Sequence, residues 1–386
     1  MKENESALFS KYIIDGVQCD ATPAELLSEC MSFVEDDSHD DEVFEDIIDE
    51  TTDRPIKPFA YDQEKISEYI ETVSSYEGDR PFRMLYPETF TKQRIAAALL
   101  ERLWNKGHYR LGNLSLWVEW DWNSRPLGNM AAFYESARAT SEYIYDLGCR
   151  LEAYDYDGYD RESRVRFAAW LPASQESSEN HEDAADNGIL FKSPYESRHP
   201  WIDEERKCPD KLLCDSDSEI LYIPFDTSSF KLGASLFAEL LGSNGDAAPR
   251  MQDPDYFIDC YEVVRELVED GMVLSGHSVG DGGLAYALSR MSDNCGIRLN
   301  IQGIASSYME DDPVKILFSE IPGVIMQVSK SNLDYIDSQF ILQDVAYYRI
   351  GTASTEFKGI RICSRTEAAV ADILASLLEQ ASEGED

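Results

Sequence analysis

The sequence predicts an α/β protein, with α+β character, built from two successive parts. Three observations predict it. From "SEILYIPFD" onward, strand-like and helix-like stretches alternate, the order that packs helices against a sheet. In the first half, a helical run at Ile95, Leu99, Leu100, Leu103 and Trp104 gives way to alternation at Leu114, Leu116, Val118, Trp120 and Trp122. Between the halves, residues 173–199 are polar and insertion-like, which marks a boundary. The expected organisation is an acidic, partly disordered segment over 1–60, a first subdomain over 61–172, a linker over 173–199 and a second subdomain over 200–386.

The elements follow in order. The pattern turns helical from Glu64. "ETFTKQRIAAALLERLW" reads as a helix and "GNLSLWVEWDW" as a strand. "MAAFYESARATSEYIYDLGC" is a helix whose Gly148 suits a C-terminal cap, and "VRFAAWLP" is a strand. In the second half, "SEILYIPFD", "MVLSGHSV", "GIRLNI", "GVIMQVS" and "AYYRIGTAS" are strands. "DPDYFIDCYEVVRELVEDG", "GGLAYALSRM", "NLDYIDSQFIL" and "EAAVADILASLLEQA" are helices, and "SSFKLGASLFAELLG" is a helix or a loop leading into one.

The formal net charge of −40 argues against binding nucleic acid or an anionic lipid surface, since polyanions repel. A basic protein partner fits that charge better. The acidic run from Val34 to Asp53 reads as a solvated segment, or as a tail whose Val43, Phe44, Ile47 and Ile48 dock as a short helix. The 8 cysteines are scattered without a C-x-x-C pair, so free thiols in a reducing, cytoplasmic setting are expected. No apolar run approaches membrane-spanning length.

The chemistry-bearing stretch is "GMVLSGHSVGDGGLAYALSRM". His277 ends a strand, Asp281 precedes a helix, and Gly282 and Gly283 permit a tight turn or a close ligand. Two readings stand. Asp281 caps the helix, or the helix start receives an anion such as phosphate. In "FKLGASLFAEL", Lys231, Gly233 and Ser235 could cradle a phosphate, although no Walker loop is present. Glu320 before Pro322-Gly323 is either a ligand for a metal or amine, or a solvent-facing turn residue. No nucleophile elbow or metalloprotease motif occurs.

These stretches in order resemble phosphoribosylformylglycinamidine synthase, of the aminoimidazole-ribotide (AIR) synthetase superfamily. "KLGAS", "GHSVGDGGL" and "LFSEIPG" are similar to that family's K-L-G-G-S, H-D-x-S-D-G-G-L and L-F-x-E-x-P-G. "LWVEWDW" and "FYESARATSEYIYDLG" resemble the second synthetase-like half of the same enzyme. The resemblance covers roughly residues 85–355. It implies an AIR-synthetase-like fold, with a first subdomain that pairs with a like sheet in a barrel and a second that closes over the ligand. The family's reaction is an ATP-dependent amidation in purine synthesis.

The departures point away from that chemistry. Where the family carries a carboxylate and an Asn on the first helix, this chain has Ala97 and Glu101, and the strand Asn is Glu119. A Gly-Lys-Asp-Ser loop is replaced by Tyr154, Asp155, Tyr156 and Asp157, which removes a phosphate-neutralising Lys. Ser278, Gly280 and Ala234 replace Asp, Ser and Gly in the closing subdomain. The expectation is a non-catalytic relative that acts as a scaffold or partner-binding protein, free of any cofactor; a cleft filled by Tyr154 and Tyr156 would support it. Its partner would be another protein, or a second copy bound through the first subdomain. The alternative is a subunit of a split synthase that uses Mg-ATP, with Lys231, Gly233, Ser235, His277, Asp281, Gly282, Gly283 and Glu320 as nucleotide or substrate contacts.

Overall fold

The computed structural model describes residues 2–31, 44–52, 60–73, 76, 80–107, 110–170, 205–215, 217–242, 247–292 and 295–362. The polar linker, most of the acidic run and the expected terminal helix lie outside these residues.

The chain opens with α1 (Lys2–Phe9), β1 (Tyr12–Ile14), β2 (Val17–Gln18), α2 (Pro23–Ser28) and β3 (Ile47–Asp49). Thr22 and Glu25 form a capping box at the start of α2. The described part of residues 1–60 is thus folded, and Ile47 and Ile48 lie in a strand parallel to β1 rather than in a docked helix. Asp49 is 6% exposed and accepts from the backbone N–H groups of Gly128, Met130 and Ala131, at 2.8, 2.8 and 3.0 Å. A carboxylate from the N-terminal segment therefore sits on the positive end of a helix in the first subdomain.

Next come α3 (Gln63–Val73), α4 (Pro87–Arg102), β4 (Ser115–Trp122), α5 (Asn129–Asp146), β5 (Arg150–Gly158) and β6 (Arg164–Trp170). These strands form a sheet in the order β5-β4-β6. Leu116, Val118, Trp120 and Trp122 point to its buried face, as the alternation predicts. The Tyr154–Asp157 stretch is no loop: it pairs in parallel with β4, Tyr154 opposite Val118 and Tyr156 opposite Trp120. Tyr156 is buried there against Phe133, with ring centroids 4.8 Å apart.

The second part contains β7 (Ser218–Pro224), α6 (Leu236–Leu240), α7 (Pro254–Glu269), β8 (Val273–Val279), α8 (Gly283–Met291) and β9 (Gly296–Leu299). It closes with α9 (Gln302–Tyr308), α10 (Pro313–Phe318), β10 (Gly323–Ser329), α11 (Leu333–Leu342), β11 (Tyr348–Ser354) and β12 (Ile360–Ile362). The six strands run β12-β9-β11-β7-β10-β8. Four of the five ladders are antiparallel, β12–β9 being the exception, so the sheet has the α+β character expected.

The two parts share their interiors. One core unites the inward face of the first sheet with α7, β10 and α11, and the other joins α3 to the second sheet. Arg265 on α7 is fully buried and donates to the carbonyls of Leu103 and Asn105, at 2.6 and 3.0 Å, just past the end of α4. Cys214 and Cys295 form a disulfide, which corrects the expectation of free thiols there, while Cys19, Cys30, Cys149, Cys208 and Cys260 are free thiols. No helix among the described residues is long and apolar enough to cross a membrane.

Candidate functional site

Three loops of the second part converge where α4 meets the edge strand β8. They are the Lys231–Ser235 loop before α6, the Asp281–Gly283 turn before α8, and the Glu320 turn before β10. Gly282 and Gly283 adopt φ of +74° and +67°. A Cβ on Gly283 would lie 2.6 Å from the Ser319 carbonyl oxygen, so no larger residue fits. Ala234 stands at φ +63° where the resemblance expects glycine, a position that disfavours any side chain. Ser235 caps α6 by accepting from the Ala238 N–H at 3.2 Å.

The acceptors in these loops are filled by the chain itself. Arg80, in the connector between α3 and α4, has a side chain only 1% exposed. Its Nε donates to Glu239 at 3.1 Å, its Nη1 to Asp281 at 2.6 Å and Glu320 at 2.8 Å, and its Nη2 to the Ala234 carbonyl at 2.8 Å. Arg94 on α4 donates to both carboxylate oxygens of Asp281, at 2.9 Å to Oδ2. The Phe90 ring takes both guanidinium groups, 5.2 and 5.0 Å from its centroid.

Asp281 does not cap α8, as the local pattern allowed, because two arginines claim its carboxylate. Burial opposes its ionisation, but Arg94 and Arg80 outweigh burial and hold its pKa well below the usual carboxylate range. Glu320 is no solvent-facing turn residue, being 2% exposed. Its Oε1 accepts the backbone N–H groups of Leu236 at 2.7 Å and Gly282 at 2.8 Å. The helix starts that suited an anion are thus served by an internal carboxylate. Burial pushes the Glu320 pKa up, with Arg80 pulling against it.

Beside this cluster lies a cavity of about 590 Å³ between the edge strands β6 and β8, with α4 beneath. Ala97, Glu101, Arg94, Arg164, Arg166, His277, Ser278, Gly280 and Asp281 line it. Lys231, Gly233, Ser235 and Glu320 do not. Nor do Tyr154 and Tyr156, which sit on the far strand β5, so the filled cleft that would have supported a non-catalytic reading is not found. His277 Nδ1 lies 2.7 Å from the Ser278 carbonyl, and burial lowers its pKa. Trp104 donates to Ser278 Oγ at 2.8 Å, and its ring lies where a Cβ on Gly276 would stand.

The replaced strand positions form a second acidic group. Glu119, Asp121 and Asp157 bring ligand oxygens within 4.8 Å of one another. Arg166 bridges Glu119 at 2.6 Å and Asp121 at 2.8 Å. Asp155 is exposed at the edge of the sheet. A guanidinium thus pairs with two of the three carboxylates of this group as well.

Sequence reasoning missed Arg80, Arg94 and Arg166. Arg94 had a signal: it lies three, four and seven residues before Ala97, Ala98 and Glu101 on α4, hence on the same helical face. Arg80 had none, since its partners lie 154–240 residues away.

The comparisons with known proteins bear on the family and the fold. The family described as "AIR synthase related protein, C-terminal domain" matches residues 228–363. Over those residues the chain is similar to that family. It is 26% identical over 280 residues to the probable phosphoribosylformylglycinamidine synthase, chloroplastic/mitochondrial, of Arabidopsis thaliana, covering 72% of this chain and 18% of that protein. The Dictyostelium discoideum synthase is 25% identical, covering 71% of this chain and 19% of its own length. The chain therefore spans less than a fifth of these relatives. Among solved structures, T. maritima PurL complexed with FGAR matches with a TM-score of 0.50 at 12% identity, covering 75% of this chain and 43% of that one, which supports the fold. The likeness to the synthase in Arabidopsis extends beyond the C-terminal domain into the first part.

Proposed function

We propose that this chain is a non-catalytic AIR-synthase relative, a scaffold or partner-binding protein working in the cytoplasm without a cofactor. The observation that carries the reading is the Arg80 guanidinium seated among Ala234, Glu239, Asp281 and Glu320. Carboxylates and backbone donors engaged this way are not available to a triphosphate or its metal. The losses at Ala97 and Asp155 act in the same direction. The partner is another protein, or a second copy meeting the outward face of the β5-β4-β6 sheet, where Asp121 and Arg166 are half-buried. The net charge of −40 argues against nucleic acid and an anionic membrane as partners. Thermal unfolding with and without Mg-ATP tests the reading. No shift in Tm is expected, because only a ligand that binds the folded state stabilises it. A nucleotide-dependent rise of several degrees overturns it. Size-exclusion chromatography with light scattering reads the copy number.

One observation favours a second reading, a subunit of a split, ATP-dependent phosphoribosylformylglycinamidine synthase in purine synthesis. The cavity along His277, Ser278 and Gly280 is open rather than filled. In that reading the missing cations come from another chain. Recovery of a synthase-like protein with the tagged chain, together with nucleotide binding by the pair alone, would decide for it.

A further inference from the structure

We propose that the pocket formed by Ala234, Glu239, Asp281 and Glu320 is a receptor for a planar guanidinium or amidinium cation, and that Arg80 is its tethered occupant. The inference rests on the reading that this junction is occupied by the chain itself. It goes further by assigning the pocket a ligand class.

The acceptors are arranged for a flat, forked donor. They meet Nε, Nη1 and Nη2, and so span the edge of one guanidinium plane at 2.6–3.1 Å. Phe90 supplies a ring face to the same cation. A lysine-like ammonium is a compact point charge and cannot span that edge. A divalent metal draws its oxygens in to about 2.0–2.6 Å, closer than this arrangement holds them around nitrogen.

Part of the receptor is held by groups other than its occupant. Glu320 is fixed by two backbone N–H groups, and its carbonyl accepts from Gln93 Nε2 at 2.8 Å. The turn beside it is held by two left-handed glycines. Arg80 arrives from a different element, the connector between α3 and α4. A second observation points to a ligand site. The Tyr69 hydroxyl is 1% exposed and has no hydrogen-bond partner among the described residues. It lies 3.2 Å from where a Cβ on Gly282 would stand, within the field of Glu320, Arg80 and Asp281.

Chemical rescue of the full-length Arg80→Ala protein tests this. The variant is expected to unfold about 5–10 °C below the parent chain, from the loss of a buried charge partner. Methylguanidinium chloride should raise its Tm saturably and recover at least half of that loss. Tetramethylammonium, a cation without N–H donors, should do nothing, and the parent chain should gain nothing from either. Where Arg80→Ala does not accumulate folded, refolding yield with each cation gives the same comparison. Equal stabilisation of the parent chain, rescue by manganese instead of methylguanidinium, or no rescue at all overturns the assignment. A Tm rise of the parent chain with Mg-ATP sinks the scaffold reading and leaves this test standing, so the two failures are distinguishable.

Discussion

Two acidic groups in this protein are closed by arginine, and they differ in depth. At the junction, the Arg80 and Glu320 side chains are 1% and 2% exposed. On the first sheet, the Arg166 and Asp121 side chains are 32% and 19% exposed. The bond lengths are alike, 2.8 Å in both pairs. The difference teaches that the surrounding dielectric, and not the geometry of the pair, sets its consequence. Water can solvate the sheet carboxylates when their arginine leaves. The junction carboxylates would have no such substitute.

The largest expected effect follows from that contrast. Arg80→Ala should lower the unfolding free energy by about 3–5 kcal/mol in urea denaturation, because a buried carboxylate loses its charge partner. A loss below about 1 kcal/mol would mean that solvent reaches the junction, and the contrast would collapse. Glu320→Gln comes next. It keeps an acceptor for the Leu236 and Gly282 N–H groups but loses the charged bond to Arg80, so about 2–3 kcal/mol is expected.

The pH dependence sharpens the same point. Asp281 has a folded-state pKa below its unfolded value, so its contribution is present above about pH 4 and is lost as the pH falls through the folded pKa. Asp281→Asn should flatten the acid limb of the stability profile. Glu320, shifted upward, works in the opposite sense and weakens the folded state as pH rises past its ordinary range. In Arg80→Ala the orphaned carboxylates should take up protons, so that variant is expected to lose less relative to the parent at pH 5 than at pH 7. The smallest effect belongs to the sheet: Arg166→Ala should change stability by about 0–1 kcal/mol, and less in high salt.

Much of the fold was legible in the sequence because it rests on local period. The helix ending at Arg102, the strand with four alternating core residues from Leu116 to Trp122, and the left-handed Gly148 after α5 all appear where periodicity and glycine placed them. Strand β5 escaped, since tyrosine and aspartate alternate over its second half and only Leu151 and Tyr156 of its nine residues are buried. Its pairing also depends on a register shift at Leu116 and Trp117. The candidate site was half legible. The loops were found, and the turn glycines fit the backbone they form. What fills those loops was not, because a cap rule for Asp281 sees four residues, whereas the arginines that claim it come from elsewhere in the chain.

The Asp49 carboxylate carries a practical consequence. It is delivered by a short strand near the beginning of the chain, yet it serves the opening turn of α5. A shortened protein beginning after residue 50 would leave the Gly128, Met130 and Ala131 amide protons without their carboxylate acceptor. Such a fragment should aggregate or melt early, and any trimming meant to aid crystallisation belongs upstream of Tyr12.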